Sequence, residues 1–309
     1  SGGSTSLNDV YGGSSAGGNA KKNYVTYSEA TAVNLTGGRA QSGAGAVSDN
    51  KVEMTGGSVT NDVTGGLSYG SGTVEKNEVK ISGGMVGGTI LGGQNIGTGA
   101  ASSNIVELTG GMINAAVYGG WANSGAADSN TVTVKKNVTG NIFGGYSMGS
   151  TASGNTVDLV GTVTVSGSVV GGQGSTANNN TVNMNDSTVG NVISVGAAGG
   201  TGNTLTVKGT NRAGNITGFQ KVSFDLSTAS TTNPMLDITN SGTTSFDWGA
   251  LEVSNEKQPN RLVLMQNMAW ISLGSSYNGA KSVSDDDDTT EFNIDTDTHG
   301  SAAQQVISE

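Results

Sequence analysis

Chemistry needs side chains that converge, and here the candidates are few and scattered. His299 is the only histidine and there is no cysteine, so a Ser-His-Asp triad would depend on one residue near the chain's end. Thiolate catalysis, thiolate metal sites and disulfides are closed altogether. Asp158 and Asp186 hold different places relative to the repeat described below and have no cation beside them, whereas polysaccharide cleavage needs acids or bases gathered at one bond. Asp295-Thr296-Asp297-Thr298-His299-Gly300 has the spacing of half a calcium loop. Val306 stands where the closing carboxylate belongs, so the stretch reads as a solvated acidic run. No catalytic residue, metal or other cofactor is expected.

Contact residues are easier to name. Trp121 and Tyr146 directly follow Gly pairs in neighbouring repeats, and Tyr69 lies in an earlier one. Exposed aromatic rings on a rigid scaffold grip sugars or proteins, although the same rings stacked over a corner would only stabilise it. Alternating charges at Lys51 and Glu78, and at Glu53, Lys80 and Glu107, form either a recognition patch or a solvated ladder of weak ion pairs. Thr131, Thr156, Thr181 and Thr204 make a threonine column of the kind that orders ice, but Asp158 and Asn183 interrupt its partner column. Ordinary strand propensity accounts for the threonines.

Composition says what must position these residues. Of 309 residues, 52 are Gly, 2 are Pro and only 12% are charged, while 34% are hydrophobic. That is enough apolar material for a core, but Gly at this density defeats long helices at about 1 kcal/mol per interior position. Collagen requires Gly at every third residue with abundant Pro, and here Gly comes in pairs. The formal charge of −10 belongs mostly to the end of the chain: after Ser284 lie eight acids and no Lys or Arg, leaving 14 cations against 16 acids, or −2, before it. The cations are scattered, so no basic stripe for nucleic acid is present. No apolar run is long enough to span a membrane as a helix, and Ser1–Ser4 opens without a charged, apolar leader, as in a piece of a longer chain.

Internal repetition organises the rest. Asn23, Asn50, Asn77, Asn104, Asn130, Asn155, Asn180 and Asn203 recur at spacings of 27, 27, 27, 26, 25, 25 and 23 residues. Each opens an alternating strand whose inward pair runs from Val25/Tyr27 through Val106/Leu108 to Leu205/Val207. A second apolar segment ends at a Gly pair (Gly37-Gly38, Gly65-Gly66, Gly92-Gly93, Gly119-Gly120, Gly144-Gly145, Gly171-Gly172), read as a corner. A unit this short cannot bury its one apolar face alone, and coiling each unit onto the last does so. The spacing predicts an all-β, parallel β-helix of about eight regular rungs of 23–27 residues, roughly 40 Å long at ~4.8 Å per rung, with an Asn column bonded along its length. Residues 1–22 are expected to be an entry rung or linker, 23–214 regular repeats, 215–281 irregular rungs and a cap, and 282–309 an acidic flexible tail.

Asn104-Ile105-Val106-Glu107-Leu108-Thr109-Gly110-Gly111 followed by Val117-Tyr118-Gly119-Gly120, and the exit segment Gly214 to Phe224 continuing into Pro234 to Thr239, resemble the passenger domains of Gram-negative autotransporters (type V secretion), over about residues 8–280. The resemblance implies a right-handed parallel β-helix (solenoid), a rod displayed on the bacterial surface or secreted, exported through a C-terminal outer-membrane barrel that this sequence does not contain. It further implies a non-catalytic adhesin or stalk whose partners are proteins or glycans of host or bacterial cell surfaces. A β-helix enzyme acting on polysaccharide and a purely structural spacer are the alternatives.

Overall fold

The segment after each ladder Asn becomes a strand because every second residue is apolar and many are β-branched, the pattern of a half-buried pleat. In the computed structural model, which describes residues 6–196, 200–230 and 233–240 and, beyond them, the strands within 244–245, 251–254, 261–267, 271–272, 280–285, 288–299 and 302–308, these segments stack in parallel. They form a ten-stranded sheet from Tyr24–Tyr27 to Leu251–Ser254. Val52, Val79, Val106, Val132 and Val157 make one inward column and Met54, Ile81, Leu108, Val134 and Leu159 the next, none more than 1% exposed. Each such side chain contributes about 1.5–3 kcal/mol when buried, and only the rungs above and below supply that burial. The whole is a parallel β-solenoid of about nine turns.

From this first face the middle units turn at Gly57, Gly84 and Gly111, whose φ angles of +74°, +82° and +80° lie where L side chains are strained. The chain then enters a second face: Thr31–Ala40, Val63–Ser68, Ile90–Asn95, Val117–Ala122, Ile142–Ser147 and Val169–Gln173. The Gly pairs of these segments, read from the sequence as corners, lie inside continuous strands, with Gly38, Gly66, Gly93, Gly120, Gly145 and Gly172 paired rung to rung. The strands bend there all the same. Leu35 and Ala40 both face interior clusters, as do Val117 and Ala122, and an odd separation between inward residues is forbidden to a regular pleat. Both glycines therefore look inward. A methyl on Gly93 would lie 2.5 Å from Asn104 Nδ2, and one on Gly92 would strike the Gly119 carbonyl oxygen, so glycine is required by close packing and not by its torsion angles.

A third, four-stranded face holds Ala20–Lys21, Val47–Ser48, Val74–Glu75 and Ala101–Ser102. The Asn column lies between this face and the bend, dividing the interior. The larger core joins the first two faces, and a smaller one of Ala20, Ala40, Val47, Val74, Ala101, Ala122 and Ala127 lies on the other side. Asn77 shows the bonding: its backbone N–H and Nδ2 both donate to Asn104 Oδ1 (3.1 and 3.0 Å), Nδ2 also donates to the Val47 carbonyl (3.0 Å), and its Oδ1 accepts from Asn50 N and Nδ2. Every polar atom of a fully buried amide is thus satisfied. The residue before most ladder Asn sits in the left-handed region, with φ between +53° and +58° at Lys22, Asp49, Lys76, Ser103, Ser129 and Asn179.

Solenoid order extends past both expected limits of the regular repeats. Ser6–Ser15 pairs along Thr31–Ala40, and Ala20–Lys21 with Val47–Ser48, so a turn precedes Asn23. Gln220 takes the Asn place after Asn203, accepting from Asn203 N and Nδ2 at 3.1 and 3.0 Å, and Val222 and Phe224 continue the inward columns. The stretch from 282, expected to be a flexible tail, instead forms strands: Ala280–Asp285, Asp288–His299 and Ala302–Ser308 pair antiparallel, the last of them also with Arg261–Asn267. Phe292 and Ile294 alternate with polar residues there, a period that acidic composition obscures. The run Trp270 to Leu273 is strand-like in sequence; Ile271–Ser272 forms a strand, while Trp270 and Leu273 lie outside the described residues.

Candidate functional site

The bend shapes the outside of the second face as well as its interior. Thr36, Thr64 and Leu91 follow inward residues and so point outward, yet they are at most 3% exposed and belong to neither interior cluster. Their cover is the column beyond the glycines, Arg39, Leu67, Gln94, Trp121, Tyr146 and Gln173, which is in register along the rod. With no side chain projecting outward at the Gly pair, the two columns fold toward one another. The result is a furrow running across the rungs.

Trp121 and Tyr146 are neighbours in this column, as the repeat predicts. They stand in strands, half-buried, and not on free corner loops. Tyr118 and Phe143 face them from the other column. Their rings stack at 4.8 Å and 4°, matching the rung spacing of ~4.8 Å, and Tyr146 meets both edge-on at 5.8 and 5.5 Å. Burial, and secondarily Tyr146, raises the Tyr118 hydroxyl above the ordinary tyrosine range. Tyr118 and Phe143 were legible in Val117-Tyr118-Gly119-Gly120 and Ile142-Phe143-Gly144-Gly145, but with the Gly pair taken as a corner nothing brought them toward Trp121.

Tyr69 belongs elsewhere, at the N-terminal end of the same furrow. There a cavity of about 270 Å³ is lined by Asp9, Tyr11, Asn34, Arg39, Asp62 and Tyr69 among others. The Arg39 guanidinium lies 5.1 Å from the Tyr11 ring centre and 5.2 Å from that of Tyr69. Its Nη1 donates to Tyr11 Oη at 2.7 Å, which donates to Asp9 Oδ2 at 2.8 Å. Asn34 Nδ2 donates to Asp9 Oδ1 at 2.7 Å, and Asp62 Oδ1 accepts from Thr89 N–H at 2.8 Å. The bonds from Asn34 and then Tyr11 hold the Asp9 carboxyl below its usual range. Burial and the bond to Asp9 raise Tyr11. Among the described residues Arg39 makes no ion pair, and its Nε is buried without an acceptor.

The remaining candidates resolve into scaffolding. Lys51 pairs with Glu78 at 2.9 Å, and Glu107 with Lys80 at 3.6 Å and Lys135 at 3.3 Å, all on the outer side of the first face. Tyr24 donates to Glu53. Asp158 accepts from Asn183 Nδ2 at 2.6 Å, while Asp186 accepts from Thr210 N–H at 2.9 Å in a turn, so the two acids do not meet. Asp295 to His299 lie in an extended strand, a shape that cannot wrap a cation with successive ligands. All eight predicted Asn residues are in the column, Asn23 accepting nothing from an earlier Asn and Asn203 bonding onward to Gln220. Comparison with protein-family models, curated proteins and solved structures finds no match to the chain.

Proposed function

We propose that the chain is the adhesive rod of a bacterial surface or secreted protein, of the autotransporter passenger kind, and that it holds cell-surface glycan along the outer furrow of its second face. The furrow carries this reading: an open, elongated channel whose walls present Tyr118, Trp121, Phe143 and Tyr146 on a backbone locked rung to rung. Aromatic rings supply contact area at little entropic cost because they are already fixed. Length multiplies weak contacts, which suits an extended partner.

Binding without cleavage is favoured by the carboxylates of the furrow. Asp9 is held ionised by its hydrogen bonds, the opposite of what a general acid requires. It is separated from Asp62 by the Asn34 rung, hence by roughly 10 Å at ~4.8 Å per rung, which places the pair at or beyond the far limit of acids that flank a scissile glycosidic bond. The test is binding of the purified rod to glycan arrays and to host and bacterial cells, beside Trp121→Ala and Tyr146→Ala. We expect saturable binding that both substitutions weaken at least 10-fold. Wild-type binding no greater than background would leave a spacer as the better reading, and release of reducing ends from a bound polysaccharide would make the chain an enzyme.

A further inference from the structure

We infer that the cavity formed by Asp9, Tyr11, Asn34, Arg39, Asp62 and Tyr69 is a subsite for one uncharged sugar unit at an end of the bound glycan. The inference rests on reading the furrow as a glycan-binding surface, and adds where one unit sits and what class it belongs to. At about 270 Å³ the cavity falls just below the range of small-ligand sites, as suits a single ring. Its polar groups are arranged in a row along the rod, because Asp9, Asn34 and Asp62 occupy the same place on successive rungs.

Each group has capacity left over. Asp62 uses Oδ1 for the Thr89 N–H, and its second oxygen has no partner among the described residues; a carboxylate oxygen accepts two hydrogen bonds, which sugar hydroxyls donate. Arg39 spends Nη1 on Tyr11 and its Nε–H is buried, but the guanidinium has two further N–H donors on Nη2, without a partner among the described residues. It therefore serves as the donor to a hydroxyl or ring oxygen, and the rings of Tyr11 and Tyr69 hold it in place. Tyr69 is 44% exposed, leaving apolar ring surface for the C–H face of a sugar.

Charge selects the class. Two carboxylates against one guanidinium leave the cavity at −1, so a sugar bearing carboxylate or sulfate is repelled, while an uncharged sugar satisfies the acids with its own hydroxyl protons. Tyr69→Ala and Asp62→Asn test this, the second keeping an oxygen for Thr89 N–H and so the local fold. Affinities for glycans ending in glucose, galactose or mannose, and for those ending in glucuronate or sialate, are measured by calorimetry on the wild type, both variants and Trp121→Ala, with circular dichroism melting as the fold control. We expect wild-type preference for a neutral terminus, and a loss of at least 10-fold in each cavity variant with unchanged melting. If Trp121→Ala loses binding while both cavity variants stay within twofold of wild type, the furrow reading stands and the subsite falls. Preference for an acidic terminus overturns the class assigned, and absence of glycan binding by the wild type overturns both.

Discussion

Asn104→Ala is the most exacting probe of the scaffold, because the partners it would abandon can be named. Asn104 Oδ1 accepts from Asn77 N at 3.1 Å and Asn77 Nδ2 at 3.0 Å, and its Nδ2 donates to Val74 O and Asn130 Oδ1, both at 3.1 Å. Asn130 Oδ1 keeps a bond from Asn104 N at 2.9 Å. Truncation therefore strands the Asn77 backbone N–H and one Nδ2 hydrogen of Asn77 in a part of the interior where Asn77 and Asn104 are 0% exposed, while the Val74 carbonyl keeps its place in the parallel ladder with Ala101–Ser102. At about 1–3 kcal/mol for each buried group left unsatisfied, the two together cost about 2–6 kcal/mol. Urea denaturation followed by circular dichroism measures it, and native-state hydrogen exchange should show the Asn77 amide losing its protection first. Asn104→Asp supplies the control. It keeps the acceptor, loses both donors and buries a charge, so its carboxyl titrates above the unfolded value near 3.9. Its stability is then fullest below that value and falls as pH rises through the folded one. A change under about 1 kcal/mol in Asn104→Ala, with the Asn77 amide as protected as in the wild type, would refute the column's structural role.

Ser103→Gly and Ser129→Gly should each stabilise the rod by about 0.5–1 kcal/mol, since both residues hold left-handed backbone that costs an L side chain more than it costs glycine and Gly154 and Gly202 already fill that place in other rungs; a lowered denaturation midpoint would contradict it. Tyr27→Phe should leave stability at neutral pH equal or higher, because the buried Tyr27 hydroxyl has no hydrogen-bond partner among the described residues. Burial also raises the Tyr27 pKa, so the wild type, but not the variant, should lose stability from this group as pH climbs past about 10, measurable by melting between pH 8 and 11. Lys135→Ala should cost no more than about 0.5 kcal/mol, as its bridge to Glu107 is well exposed to solvent and screened; a loss above ~2 kcal/mol would mean the charge ladder does more than solubilise the first face.

How much of this was legible beforehand follows from the range of the forces involved. The inward columns from Val25/Tyr27 to Leu205/Val207 are a matter of alternation, and the Asn spacing is a matter of counting, so strands, stacking and the register between rungs could be read from the one-dimensional pattern. Parallel stacking of near-identical units leaves few other ways to bury one apolar face. The bend could not be read so. Glycine pairs at a turn and glycine pairs beneath a ladder look identical in sequence, and only the approach of Gly93 to the Asn104 amide tells them apart. The furrow depends on that bend, and so do the meeting of Tyr118 and Phe143 with Tyr146 and the gathering of Asp9, Arg39, Asp62 and Tyr69 from three rungs. Sequence by itself determined which residues repeat and which face inward, because those are local and periodic properties. Tertiary structure decided which outward residues share a surface, because that depends on curvature accumulated across rungs that no single unit contains.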